Sequence, residues 1–140
     1  MTWDGEGIME KRFADSSKED YLKTILVIID EKEKCRVIDI ARYLNVTKAS
    51  ASIAVKKLEN AELIMKENNN LLLTEEGKKI AEQIYEKGSF LQEWLIKMGV
   101  DEETAKEDAC AIEHVLSEKT YKKMKEYVDL NNDWKYDTDR

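Results

Sequence analysis

Apolar residues recur at helical spacing through Tyr21, Leu22, Ile25, Leu26, Ile28 and Ile29, which predicts a helix reaching about Asp30 with Ser17 or Asp20 as its cap. A charged connector, Glu31 to Arg36, separates it from a short amphipathic stretch, Val37 to Leu44, with Val37, Ile40, Ala41 and Leu44 on one side. Asn45 ends that stretch, since asparagine tolerates the left-handed conformation that closes a helix. Thr47 is placed to cap a further helix, about Lys48 to Ala61, which turns Ala51, Ala54, Val55 and Leu58 inward. Two short β-prone runs follow, Leu63 to Lys66 and Leu71 to Thr74, joined by Glu67, Asn68, Asn69 and Asn70, a run suited to a tight turn. From there the pattern is helical again. Thr74 caps a long stretch carrying Ile80, Ile84, Phe90, Leu91, Trp94, Leu95 and Met98, Gly99-Val100-Asp101 marks a break, and a helix begins near Asp101. Ser117 or Glu118 opens a last one with Tyr121, Met124, Tyr127 and Val128.

Two short helices joined by a tight turn, the second bearing Lys48, Ser50, Ser52, Lys56 and Lys57 outward, make a helix-turn-helix. A two-stranded hairpin directly after it is the order of a winged helix, whose second helix enters the major groove of DNA. The predicted fold is mainly α: a winged helix-turn-helix DNA-binding domain over residues 16–74, then an all-helical domain over 75–130, with an N-terminal extension (1–15) and a C-terminal tail (131–140). The helices beyond the hairpin carry more apolar side chains than one subunit can bury, which points to a homodimer presenting two such helices to a palindromic duplex.

Composition adds two constraints. The 140 residues contain no proline, five glycines and 38% charged residues, a helix-rich composition, and the longest apolar run, Ile25 to Ile29, is far too short for a membrane span. The acidic start lacks the apolar core of an export signal, and Cys35 and Cys110 read as reduced cytosolic thiols, so a cytoplasmic protein is expected. The net charge of −7 conceals an asymmetry. Lys34 to Lys66 holds seven basic and three acidic residues, a net +4, whereas Val100 to Arg140 holds twelve acidic and seven basic, a net −5. A basic module between acidic flanks suits one face meeting phosphates while the rest stays soluble. Thr47, Lys48, Ser50, Ser52 and Lys56 are the candidate DNA contacts, with Arg36 and Lys57 as phosphate partners; Thr47, Lys48 and Ser50 are assigned to base edges.

Candidate metal chemistry lies near the C-terminal end. Cys110, Glu113 and the chain's single histidine, His114, stand at i, i+3 and i+4 of a helix, so a thiolate, a carboxylate and an imidazole share a face. That donor mixture suits Fe(II), Co(II), Ni(II) or Zn(II) better than Mg(II) or Ca(II). Nothing points to catalysis: there is no nucleophile paired with the lone histidine, no glycine-rich phosphate loop and no spaced carboxylate pair, and no small organic substrate is expected.

Glu19-Asp20-Tyr21-Leu22, Leu72-Leu73-Thr74-Glu75-Glu76-Gly77, Met98-Gly99-Val100-Asp101 and Ala109-Cys110 followed by Ile112-Glu113-His114-Val115-Leu116-Ser117, in this order, resemble the diphtheria-toxin-repressor family of iron- and manganese-responsive transcriptional repressors. The resemblance runs from about Ser16 to Val128 and implies a winged-helix domain, a helical dimerisation and metal-binding domain, and no catalytic activity. The resemblance leads to the expectation of the two-domain, manganese-type architecture without the extra C-terminal module that iron-type members often add. Carried over residue by residue, the resemblance implies Asp20, Cys110, Glu113 and His114 as ligands of one divalent ion per subunit, Fe(II) or Mn(II). Asp20 matches the manganese-type branch, Cys110 the iron-type, and Glu113 and His114 both.

The departures weaken a second metal position. Gly88 and Lys106 stand where histidine ligands are expected, Gln92 where iron-type members have a glutamate, and Lys23 where the manganese-type branch has one. Three functional readings stay open: a repressor controlled by a bound metal; a winged-helix regulator whose metal site has decayed and whose DNA binding ignores chelation; and a zinc-dependent hydrolase, which would need three protein ligands, an open fourth position and a general base, or a pure protein-interaction module with no operator preference.

Overall fold

The computed structural model describes the backbone of residues 6–130 and the side chains of residues 17–130. The chain divides into two compact units, Met1–Tyr85 and Glu86–Arg140. Six helices and one hairpin follow one another: α1 (Glu6–Lys32), α2 (Val37–Leu44), α3 (Lys48–Asn60), β1 (Ile64–Glu67), β2 (Asn70–Leu73), α4 (Glu75–Lys97), α5 (Glu102–Val115) and α6 (Glu118–Leu130). The mainly α winged-helix architecture is the predicted one. One boundary is corrected: α1 starts at Glu6, so Ser17 and Asp20 lie inside the helix instead of capping it. No proline interrupts the segment before Ser17, and a serine within a helix costs only about 0.5 kcal/mol against alanine. The C-terminal stretch 131–140, with Trp134 and Tyr136, lies outside the described residues.

In the first unit, α1 ends at Glu33, which takes φ +67° and donates its N–H to the Ile29 carbonyl at 2.8 Å. At the start of α2, the Arg36 N–H donates to Asp39 Oδ2 at 2.9 Å, and Asn45 closes the helix in the expected left-handed conformation, φ 56° and ψ 48°. Thr47 caps α3 by accepting the Ser50 N–H at 3.0 Å. Leu22, Ile25, Ile40, Ala51, Val55, Ile64 and Leu71, all but sealed from solvent, meet in one core that closes α1, α2, α3 and the hairpin on each other.

The hairpin is antiparallel, pairing Ile64 with Leu73 and Glu67 with Asn70. Its two turn residues, Asn68 and Asn69, have φ of 53° and 67°. Positive φ at both central positions gives the mirror-image turn whose twist matches that of the strands, and asparagine reaches it more readily than most residues. The hairpin is rooted twice. Asn70 Oδ1 accepts the Cys35 N–H at 2.9 Å and the Leu71 N–H donates to the Cys35 carbonyl at 2.7 Å, which ties β2 to the connector before α2. On the other side, Thr74 Oγ1 donates to the Glu62 carbonyl at 2.9 Å while accepting the Gly77 N–H at 3.1 Å, so one hydroxyl both caps α4 and holds the hairpin's base.

The second unit packs α4, α5 and α6 around Phe90, Leu91, Ala109, Tyr121 and Val128. Phe90 meets Tyr121 edge to face with ring centroids 5.6 Å apart. Lys87 is buried; its ammonium donates to the Leu116 carbonyl at 3.2 Å, lies 3.4 Å from Glu118 Oε2 and sits 5.7 Å from the Tyr121 ring centre. Lys125 reaches Glu86 at 2.6 Å, and this hydrogen bond holds the Glu86 carboxyl below its ordinary value. These contacts clamp the turn after α5 and so position its C-terminal end. Asp101 caps α5 by accepting the Thr104 N–H at 2.9 Å, and Ser117 caps α6 through the Thr120 N–H at 3.1 Å.

Acids occupy the first turns of α2 (Asp39), α4 (Glu75, Glu76), α5 (Glu102, Glu103) and α6 (Glu118), but the first turn of α3 has none. No helix among the described residues is long and apolar enough to cross a membrane.

Candidate nucleic-acid interface and metal centre

All seven residues expected at a DNA surface, Arg36, Thr47, Lys48, Ser50, Ser52, Lys56 and Lys57, are exposed in the first unit. Arg36, Lys48 and Ser52 line a cleft of about 320 Å³ together with Lys66 of β1 and Asn69 of the turn. Three cationic side chains from the α2 entry, the α3 entry and the hairpin thus border one concavity, where their fields add and an anionic backbone is favoured. Lys66 belongs to the basic segment and Asn69 to the turn run, but neither is among the seven residues expected at the DNA surface. Alternation across a four-residue strand is too short to show which face Lys66 occupies, whereas the Asn run did mark the turn that carries Asn69. The Thr47 and Ser50 side chains have a structural task as well: the Thr47 hydroxyl donates to Ser50 Oγ at 2.9 Å, closing the cap on itself.

In the second unit, α5 places Glu113 and His114 next to each other, with Glu113 Oε1 3.5 Å from His114 Nε2 and both side chains almost wholly buried. Adjacent ligands of a tetrahedral ion at about 2.0–2.1 Å stand roughly 3.4 Å apart, so this pair fits a shared transition-metal ion. Burying a carboxylate is costly unless a cation, a donor or a metal compensates it, and this one lies beside the chain's single imidazole. Cys110, one turn earlier on α5, is exposed, and among the described residues its sulfur does not gather with Glu113 and His114 within 4.8 Å. Asp20 lies in α1 of the first unit and is half-buried.

Residues 15–70 match the model of the iron-dependent repressor N-terminal DNA-binding domain, and residues 74–132 match that of the iron-dependent repressor metal-binding and dimerisation domain. The chain belongs to the iron-dependent repressor family. Solved structures agree with that membership. The manganese regulator SloR is 28% identical with a TM-score of 0.72, over 80% of this chain and 53% of that one. IdeR from T. acidophilum is 28% identical with a TM-score of 0.70, over 79% of this chain and 53% of its own. ScaR with bound Zn²⁺ is 28% identical with a TM-score of 0.69, over 80% and 53%. The chain thus spans about half the length of these family structures. Within the family's two-part pattern, the cationic cleft falls in the DNA-binding domain and the Glu113–His114 pair in the metal-binding domain.

Proposed function

We propose that this protein is a divalent-metal-responsive transcriptional repressor that binds a palindromic operator as a homodimer, with Asp20, Cys110, Glu113 and His114 as ligands of one Fe(II) or Mn(II) per subunit. The observation that carries the reading is the succession of a DNA-binding and a metal-binding family match across residues 15–132. The cleft bordered by Arg36, Lys48 and Lys66 and the adjacent carboxylate and imidazole of Glu113 and His114 support it. Bound metal would be held by carboxylate, thiolate and imidazole donors. Such a ligand favours the DNA-competent arrangement only by its differential affinity for it, and a 100-fold preference corresponds to about 2.7 kcal/mol.

The test is an anaerobic titration of the reduced protein against a library of short duplexes, with chelator and then with Fe(II), Mn(II), Co(II) or Zn(II). Sequence-selective binding that tightens about 100-fold with one ion, and loses that gain in His114→Ala, is expected. The exposed Cys110 favours a second reading, DNA binding without metal control. Selective binding indifferent to chelator would establish it.

On the DNA side, Lys56→Ala and Lys57→Ala together should weaken binding across all sequences and, with both subunits of the dimer altered, reduce the magnitude of the slope of log K against log salt by about 4. An unchanged slope would remove these lysines from the phosphate contacts.

A further inference from the structure

Ile53 is 60% exposed although it stands on a helix whose other large apolar residues are buried. Its place on α3 is central. Ala51, Val55 and Leu58 define the buried face, and the opposite side, at i, i+4, i+7 and i+11, carries Ala49, Ile53, Lys56 and Asn60, all exposed. Ser52 flanks this strip on one side and Lys57 on the other. This side of α3 thus has an apolar centre, Ala49 and Ile53 one turn apart, set among hydroxyl, amide and ammonium groups, and toward Lys57 it borders a groove of about 480 Å³ shared with Ser17, Lys18 and Tyr21 of α1. Thr47 and Ser50, by contrast, direct their hydroxyls into the cap.

We infer that Ile53, with Ala49 beside it, reads the 5-methyl group of thymine in the major groove and is the principal sequence-selecting side chain of α3. Two facts favour DNA as the occupant of this strip. Cations surround it, which suits phosphates lining a groove better than an apolar protein partner. And the thymine methyl is the one apolar feature of the major-groove edge, matched by side chains that offer carbon and no hydrogen-bonding group. Lys56 and Lys57 then supply the sequence-independent affinity, and Ile53 the selectivity. The inference rests on the repressor reading.

The experiment selects duplexes from a randomised library with the full chain, with and without divalent metal, and remakes the best one with uracil replacing thymine position by position. Uracil pairs as thymine does and lacks only the methyl. Loss of about fourfold in affinity is expected at one or two positions per half-site, the equivalent of one methyl left unburied. In Ile53→Ala the same replacements should change affinity by less than about twofold, because the two deletions remove one contact and are not additive. Uracil duplexes that bind wild type as tightly as thymine duplexes overturn the inference, as does a methyl effect that persists in Ile53→Ala. So does a change in sedimentation of Ile53→Ala, which would place the side chain in a protein contact. Selection of no duplex at all would remove the repressor reading itself, and this inference with it.

Discussion

Gly77→Ala is expected to cost about 4 kcal/mol, enough to leave a domain of this size largely unfolded at modest denaturant concentrations. A Cβ on Gly77 would lie 2.0 Å from the Leu63 carbonyl oxygen and 3.0 Å from its carbon, both backbone atoms. Relief requires the start of α4 to part from the base of the hairpin by about 1 Å or more. That movement would strain the Thr74 N–H bond to the same carbonyl, now 3.1 Å, and the Thr74 hydroxyl that joins Gly77 to Glu62. Gly99→Ala is the matched control. Its Cβ would meet nothing, so only the backbone at φ +105° resists, at about 1–2 kcal/mol. Urea denaturation of both variants decides the matter: equal midpoints would mean that the close approach at Gly77 relaxes freely.

Leu71→Ala is expected to cost about 3 kcal/mol and to weaken DNA binding beyond what lost stability explains. Leu71 is fully buried, and its N–H holds Cys35 at 2.7 Å, so a cavity there loosens the joint between the hairpin and the α2 entry. Lys66 and Asn69 on one side of that joint and Arg36 on the other would lose their fixed spacing across the cleft. Cys35 provides an independent readout. Burial pushes its thiol up from 9.0 to about 12, with Asp39 adding to the rise, so at pH 8 almost none is thiolate. A disulfide reagent should therefore modify exposed Cys110 quickly in the wild type and Cys35 only on unfolding, whereas Leu71→Ala should bring Cys35 into the fast phase. The same shift has a sign in stability. The folded state keeps the proton longer than the unfolded chain, so the stabilisation is complete below pH 9 and is lost as pH rises toward 12. Cys35 modification at equal rates in both proteins would show that the cavity leaves the joint closed.

Much of this architecture is written locally. Asn45, Thr47, Thr74, Asp101 and Ser117 each act within three or four residues of where they stand, so their capping roles follow from residue type and spacing alone. The strand pair falls within about one residue of the expected runs because the four-residue turn segment sets its register. The start of α1 was less legible. Ser17 looks like a cap, yet the residues before it sustain a helix, and a capping residue does not forbid continuation. Glu33 likewise ends α1 in a left-handed conformation, a position for which glutamate gives no signal. At the candidate sites, residue types were readable and exposure was not. Periodicity places Cys110 on one face with Glu113 and His114, but burial separates the exposed thiol from the buried pair. Ile53 stands opposite Ala51, Val55 and Leu58 by helical spacing alone, and its 60% exposure agrees with that spacing.

The acid-free first turn of α3 sets a trade between robustness and recognition. A carboxylate near a helix start is worth about 0.3–1 kcal/mol, and α2, α4, α5 and α6 all take it. At α3 that increment is forgone, and the end carries Lys48 instead. The helix thereby keeps its positive pole undiminished on the side where Arg36 and Lys66 also stand, and a polyanion arriving there meets attraction from backbone and side chains alike. The domain is held slightly below the stability its own pattern could reach, and the reserve lies at the surface built to meet another molecule.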